Sequence, residues 1–462
     1  MKKFLFNLKM EWLYSIMMLI FGIQLVFLTP PFQVPDEVNH FLRVYQISEG
    51  YFRAPIGEVE TPESKKFYPY AEIPVDFQHL LSPGHEGRVA EKNYYGFSHT
   101  LKMFSIPVNS DTRSGYLFIP NTGMYSPLVY APQAFMSFLA EKLFGTVGAV
   151  FYFARLGTLI FSIICIYLSM KILPEKKLLI FLISFMPMFL YEITSTSSDA
   201  IIYSIAILST AYLLSLRKSE DLLSRKELSF MILAAISIGL AKQVYGVILL
   251  LYLLIPSERF GSKKKFYIFG LGIIVVYLVT SFTWLYLAKS GINVSPPTLP
   301  DPNVDITKQI EFIKSNPLTF GGVIYNSIVL PHLYNHCVEF IGVLGWLNKF
   351  LPHWFYIFYG ILLIFGAVLG NLNLKPQHRI FMMLLSVPTL ITLLIFYYVT
   401  WTPVGAPFVQ GVQGRYFIPL AVIFFSSLSF IKNNSWETVT ALAAGITSSF
   451  MTLLIVIESY YV

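Results

Sequence analysis

Apolar stretches long enough to cross a bilayer alternate with short polar connections along most of this chain, and two long polar intervals break the alternation. About 20 helical residues, rising about 1.5 Å each, cover a hydrocarbon core of roughly 30 Å. On that measure residues 12–28, 150–173, 178–193, 200–216, 228–241, 245–255, 266–287, 354–370, 380–399, 417–431 and 436–457 read as eleven spans, the fifth and sixth being short. The first run ends in Thr29, Pro30 and Pro31 rather than in a small-residue cleavage site, so it reads as an anchor and not as a secretory signal. Residues 30–126 hold no run able to span and are rich in Pro, Gly, Tyr and mixed charge, which predicts a compact loop domain. Residues 125–144 are apolar but interrupted by Pro127, Pro132, Glu141 and Lys142, and predict an amphipathic helix along the membrane interface.

The expected fold class is therefore an all-α polytopic membrane protein. Its sections are residues 1–29 (N-terminus and first span), 30–149 (first loop with interfacial helices), 150–287 (spans two to seven), 288–352 (a second polar region) and 353–462 (spans eight to eleven). Composition agrees, since 13% charged residues is about half the usual share in soluble domains. The net charge of +7 could point to nucleic acid, but the positions of the cations decide otherwise. Lys2, Lys3 and Lys9 precede the first span, and Lys176, Lys177, Arg217, Lys218, Arg225, Lys226, Arg259, Lys263, Lys264, Lys265, Lys375, Arg379 and Lys432 fill alternate connections. The short connections between those carry Lys242 and Arg415. This asymmetry predicts an N-terminus inside, both long intervals on the exoplasmic side, a bilayer as partner and no nucleic acid. Cys165 and Cys337 form neither a metal-ligand spacing nor a disulfide framework.

Charge on the exoplasmic side directly after the first span needs a reason. In PPFQVPDEVNHFLRVYQISEG (30–50), Pro35 fits a first helical turn, and Asp36, Asn39, His40 and Arg43 then share one face, opposite Val38, Phe41, Leu42 and Tyr45. The plain alternative is a solvated acid complementing the helix dipole. Asp199 stands at the outer start of the fourth span, where it is either functional or a helix cap. The turn 401–419, WTPVGAPFVQGVQGRYFIP, has glycines that admit a close ligand, and Arg415, with no acid beside it in sequence, suits a phosphate through its planar fork. For Arg415 and Lys242 the alternative is a cation reaching for lipid headgroups. Together these groups predict chemistry at the outer interface on a lipid-linked anionic substrate. A carboxylate would take a proton from an acceptor hydroxyl while positive charge holds a departing phosphate.

The blocks PDEVNHFLRVYQISEG (35–50), YSPLVYAPQA (125–134), the 187–199 segment ending in SSD, IGVLGWLNKFLP (341–352) and GVQGRYFIP (411–419) occur in order over nearly the whole chain. In them the chain resembles a bacterial multipass membrane family of unknown function related to the GT-C-fold glycosyltransferases, which depend on polyprenyl-phosphate sugars. The resemblance implies a GT-C-like fold with a large first exoplasmic loop. It also implies an inverting glycosyltransferase of the cell membrane, moving a sugar from a polyprenyl-phosphate donor to an exported envelope glycan or polymer, such as a cell-wall polysaccharide, on the outer face. Carried over by position, Asp36 with Glu37 is catalytic, and Arg415, Tyr416, Gln413, Arg43 and Lys242 bind the donor phosphate. His40 and Asp199 are candidates for the acceptor or for a divalent cation, Mg or Mn. The rival expectations are a transporter or flippase of lipid-linked glycans and a non-catalytic scaffold of an envelope-synthesis complex.

Overall fold

The computed structural model describes residues 9–60, 65–81, 96–292, 303–329, 331–432 and 436–462. Lys2, Lys3 and residues 293–302 of the second polar region lie outside the described residues.

The apolar run after Lys9 forms α1 (Met10–Leu28), which stops where Pro30 and Pro31 remove backbone donors. The chain re-enters a helix at α2 (Glu37–Ser48). The loop then holds a small antiparallel sheet that the all-α expectation lacked, β1 (Ile56–Glu60), β2 (Lys65–Ala71) and β3 (Leu117–Phe118), with Ile56 opposite Pro69 and Tyr70 opposite Phe118. Short strands rich in Lys, Glu and Pro carry little periodic signal, which is why the polarity pattern missed them. Helix α3 (Phe97–Met103) follows, then α4 (Ala131–Leu143).

Helix α4 is amphipathic as expected, but the faces are reversed from those of a soluble helix: Gln133 and Ser137 are buried while Phe135 and Phe138 are exposed. It packs antiparallel on the first half of α5 (Val147–Ile172), where Gly157 leaves room for the Pro132 carbonyl and Phe144 meets Phe153. The expected third span is broken. Helix α6 (Lys177–Ser184) ends before Pro187, Met186 is extended, and α7 (Pro187–Ile193) starts anew. Proline lacks the amide that the helix ladder needs and biases its predecessor away from helix. Helix α8 (Ser198–Ser215) packs on α5, with Ser204 donating to Ser162 at 3.0 Å, a polar link of the kind that joins helices where no water competes.

After α9 (Arg225–Ala241) the chain turns at Lys242 into a 3₁₀ helix, Gln243–Leu254. Twelve residues in that tighter helix reach about 24 Å, so this short run is longer than an α-helix of equal length. Then come α10 (Lys263–Lys289), α11 (Ile306–Ser315), α12 (Pro317–Ile328) and α13 (His332–Ile341), followed by the hairpin β4 (Val343–Leu344) and β5 (Lys349–Phe350). Helices α14 (His353–Val368), α15 (Pro376–Leu384), α16 (Ser386–Thr400), α17 (Ile418–Ser426) and α18 (Glu437–Tyr460) complete the fold.

Among the described residues six helical segments are long and apolar enough to cross a membrane: Met10–Leu28, Val147–Ile172, Ser198–Ser215, Lys263–Lys289, Pro376–Thr400 and Glu437–Tyr460. Gln243–Leu254, His353–Val368 and Gly414–Ser426 are shorter apolar helices. The bundle has two distinct polar ends. At one, Lys177 pairs with Glu11 at 2.7 Å, Lys176 donates to the Ala367 carbonyl at 2.8 Å and Arg217 to that of Leu372 at 2.9 Å. The other end holds the loop and the turns at residues 194–199, 242 and 401–416, so the connections that charge parity separated also separate in space.

Candidate functional site

The loop is anchored by a buried ion pair joining α2 to α5. Arg155 donates Nε to Glu37 Oε1 at 2.8 Å and Nη2 to Oε2 at 2.7 Å, with both side chains fully buried. Its remaining donors reach the carbonyls of Val26 (2.8 Å), Thr29 (2.6 Å) and Pro30 (3.0 Å). Glu37 also accepts the amides of Phe32 (2.9 Å) and Thr196 (3.1 Å). One ion pair thus fixes the end of α1, the start of α2 and the turn before α8. It also occupies Glu37, so of the two adjacent acids Asp36 alone faces the site.

Asp36 precedes α2 in the left-handed region, at φ +61°. Asp is among the few residues that tolerate this conformation, which turns its carboxylate out of the helix. Its side chain keeps 41% exposure, and Oδ2 lies 3.4 Å from Arg415 Nη2. Arg415 is set in a 3₁₀ turn, Gly414–Phe417, directly before α17. Gly414 is required there, because a β-carbon would run into the His336 carbonyl and the Phe340 amide, and its own amide donates to Glu339 Oε2 at 2.7 Å.

The expectation that Arg415 lacks an acid partner is corrected by three acids from distant segments. Its Nη1 donates to Glu192 Oε1 of α7, Nη2 faces Asp36, and Nε lies 3.8 Å from Asp199 Oδ2. Asp199 is not the cap of α8; Ser197 Oγ accepts the Asp199 amide at 3.2 Å, which leaves the Asp199 carboxylate free for other partners. Its Oδ1 lies 3.6 Å from Lys242 Nζ, and that ammonium sits 4.5 Å above the Tyr416 ring. Tyr416 accepts from Tyr397 at 2.8 Å through its hydroxyl, and from Tyr245 at 2.8 Å through its carbonyl. Three carboxylates (Asp36, Glu192, Asp199) therefore enclose Arg415, with Lys242 at the edge. The Lys242 side chain keeps 18% exposure against 3% for Arg415, so Lys242 is the more available cation.

The other expected site residues divide. His40 borders the cluster: its Nδ1 is 2.8 Å from the Tyr130 hydroxyl and its ring lies along Tyr125. Burial pushes the imidazolium down to about 4, which outweighs the pull of Asp36 and Asp199. A folded value below the ordinary 6.5 means that stability is fully present above pH 6.5 and is lost as pH falls toward 4. His40→Gln should therefore flatten the decline of the unfolding temperature between those pH values, a term of at most about 3 kcal/mol. The check is thermal unfolding of the detergent-solubilised protein at stepped pH. Arg43 does not join the cluster. Its guanidinium is spent on Gln46 Oε1 (2.7 Å) and on the Tyr51 (2.9 Å) and Phe52 carbonyls, closing the far end of α2. Gln413 contributes backbone, accepting the Tyr416 amide at 3.1 Å.

Glu192 and Arg155 were not singled out from the sequence, although each is an ionisable residue inside an apolar run, FMPMFLYEI and VFYFARLG, which is itself a flag. Among the described residues no three His, Cys, Asp or Glu side chains come together so as to hold a metal ion. An apolar cavity of about 550 Å³ lies between Ile47 and Phe52 at the far end of α2 and Phe135 and Phe138 of α4, with Leu240 of α9 and Trp284 of α10 completing its walls.

The long apolar helices, the buried ion pairs between them and the enclosed charge at one end define a helical integral membrane protein. The chain belongs to the family described as predicted membrane protein (DUF2142), whose model matches residues 19–424. Comparison with curated proteins and with solved structures gave no match.

Proposed function

We propose that this protein is an inverting glycosyltransferase of GT-C type that moves a sugar from a polyprenyl-phosphate donor to an exported envelope glycan. In this reading it crosses the cell membrane about eleven times and works on the outer face. The carrying observation is the convergence, from three separate segments, of an exposed carboxylate (Asp36), an organising arginine (Arg415) and an available ammonium (Lys242).

Each part has a chemical use. The acceptor hydroxyl gives its proton to Asp36 as its oxygen attacks the anomeric carbon. The bond from that carbon to the phosphate oxygen breaks, and the electron pair leaves with polyprenyl phosphate. Lys242 offsets the charge on the leaving phosphate, which needs no general acid. Glu192 and Asp199 hold Arg415 in place, and Arg415 in turn orients Asp36. The apolar cavity takes isoprene units of the donor lipid, since burying hydrocarbon gains about 25 cal/mol per Å². The Arg415 fork expected to grip the phosphate is engaged by acids, so the phosphate contact falls to Lys242.

The test is direct. Membranes containing the protein are incubated with radiolabelled polyprenyl-phosphate sugars, one at a time, and label is followed into polymer. Transfer from one donor, absent in membranes without the protein, is the expected result. Label that crosses the bilayer still attached to its lipid would show a transporter instead.

A further inference from the structure

A second cavity, of about 530 Å³, lies between α13, the β4–β5 hairpin and the start of α14. Its walls carry three aromatic rings, Tyr334, Phe350 and Tyr356, and three polar groups, Asn335, Glu339 and His353, over a floor of small aliphatics. The hairpin is held in register by Val343 opposite Phe350 and turns through Gly345 and Leu347 at positive φ. Its tip is pinned to the loop, as the Trp346 indole donates to the Phe32 carbonyl at 3.0 Å, four residues before Asp36. On the other wall Glu339 accepts the Gly414 amide, one residue before Arg415. Both walls are therefore tied to the segments that carry the charged cluster.

The lining has a definite chemistry. Pyranose rings present apolar C–H faces and hydroxyl edges, which match flat aromatic surfaces and planar amide, carboxylate and imidazole groups. Tyr356 has its hydroxyl committed, accepting the Leu351 amide at 3.0 Å and donating to the Gly342 carbonyl at 2.9 Å, so it offers the cavity its ring. Phe350 and Tyr334 are both exposed. A phosphate fits poorly, because the lining has a carboxylate and no Lys or Arg. A lipid tail fits poorly, because Asn335 and the open edges of Glu339 and His353, whose other atoms are held by the Gly414 amide and the Tyr334 hydroxyl, would lose water without gaining partners.

We infer that this cavity binds a saccharide of the glycan acceptor, a proposal that rests on the transferase reading for the identity of its ligand. The test uses the full chain in its own cell. Phe350 and Tyr334 are replaced, one at a time, by the photo-crosslinking residue p-benzoylphenylalanine in the Asp36→Asn background, cells are irradiated, and adducts are analysed by mass spectrometry. Saccharide adducts at both positions are expected. Adding Asn335→Ala should lower their yield about three- to tenfold, the effect of one lost hydrogen bond. The same residue placed at Phe430, at the opposite polar end of the bundle, should give none. Adducts with phospholipid or peptide, equal saccharide adducts at Phe430, or no adduct from protein present at its usual level would each overturn the proposal. Saccharide adducts in a protein whose wild type shows no transfer would sink the transferase reading and leave the saccharide site standing.

Discussion

Asp36→Asn should reduce sugar transfer by about 10² to 10⁴-fold, the usual contribution of a positioned general base, while the protein stays folded in the membrane. Asn is the discriminating replacement for three reasons. It tolerates the left-handed backbone at φ +61° as well as Asp does, so the start of α2 is not strained. It keeps an oxygen facing Arg415 Nη2, so the cluster loses one charge and little shape. It cannot take a proton from a hydroxyl near neutral pH. Asp36→Glu, by contrast, keeps the charge but moves it by a methylene and disfavours the left-handed backbone, so it should restore little activity. The measurement is the initial rate with a radiolabelled donor, at matched protein levels. A rate for Asp36→Asn within threefold of wild type would remove Asp36 from the chemistry.

Glu37→Ala should behave in the opposite way, lowering the stability of the protein by about 3 to 5 kcal/mol, because it leaves the Arg155 guanidinium charged and uncompensated inside the bundle. Both partners are fully buried, and two backbone amides lose an acceptor as well. Arg155→Met should cost a similar amount by stranding the Glu37 carboxylate and the carbonyls at the end of α1. The double variant should lose less than the sum, since no lone charge remains. Thermal unfolding in detergent measures all three. A Glu37→Ala protein within about 1 kcal/mol of wild type would mean that the pair does not anchor the loop. Replacing the adjacent acids should therefore have separate effects: loss of activity without loss of protein at Asp36, and loss of protein at Glu37.

Much of the architecture was legible in the order of residues. Six of the eleven spans expected from apolar length are, among the described residues, helices long and apolar enough to cross a membrane, and the two polar ends follow from where Lys and Arg stand. Helix α2, expected to begin at Pro35, begins two residues later at Glu37, because Asp36 takes the left-handed conformation. Even the broken third span had its signal in Pro187, although length alone favoured one continuous helix. Asp36, Asp199, Lys242 and Arg415 were each conspicuous as charge beside a membrane run, and the fold brings all four together.

The sequence by itself determined which segments are long and apolar enough to cross a membrane and which ionisable groups inside apolar runs are costly enough to need partners. Only the tertiary structure decided who those partners are: Glu37 finds Arg155 across 118 positions, Arg415 finds Glu192 across 223 and Asp36 across 379. Periodicity reports which residues share one helix face, within three or four positions of each other. It carries no record of which helix ends meet, because that depends on how whole helices pack. The same limit explains why Asp36 and Glu37 could not be told apart beforehand. They are neighbours in sequence, and the left-handed turn at Asp36 sends one carboxylate toward Arg415 while the helix carries the other into the ion pair with Arg155.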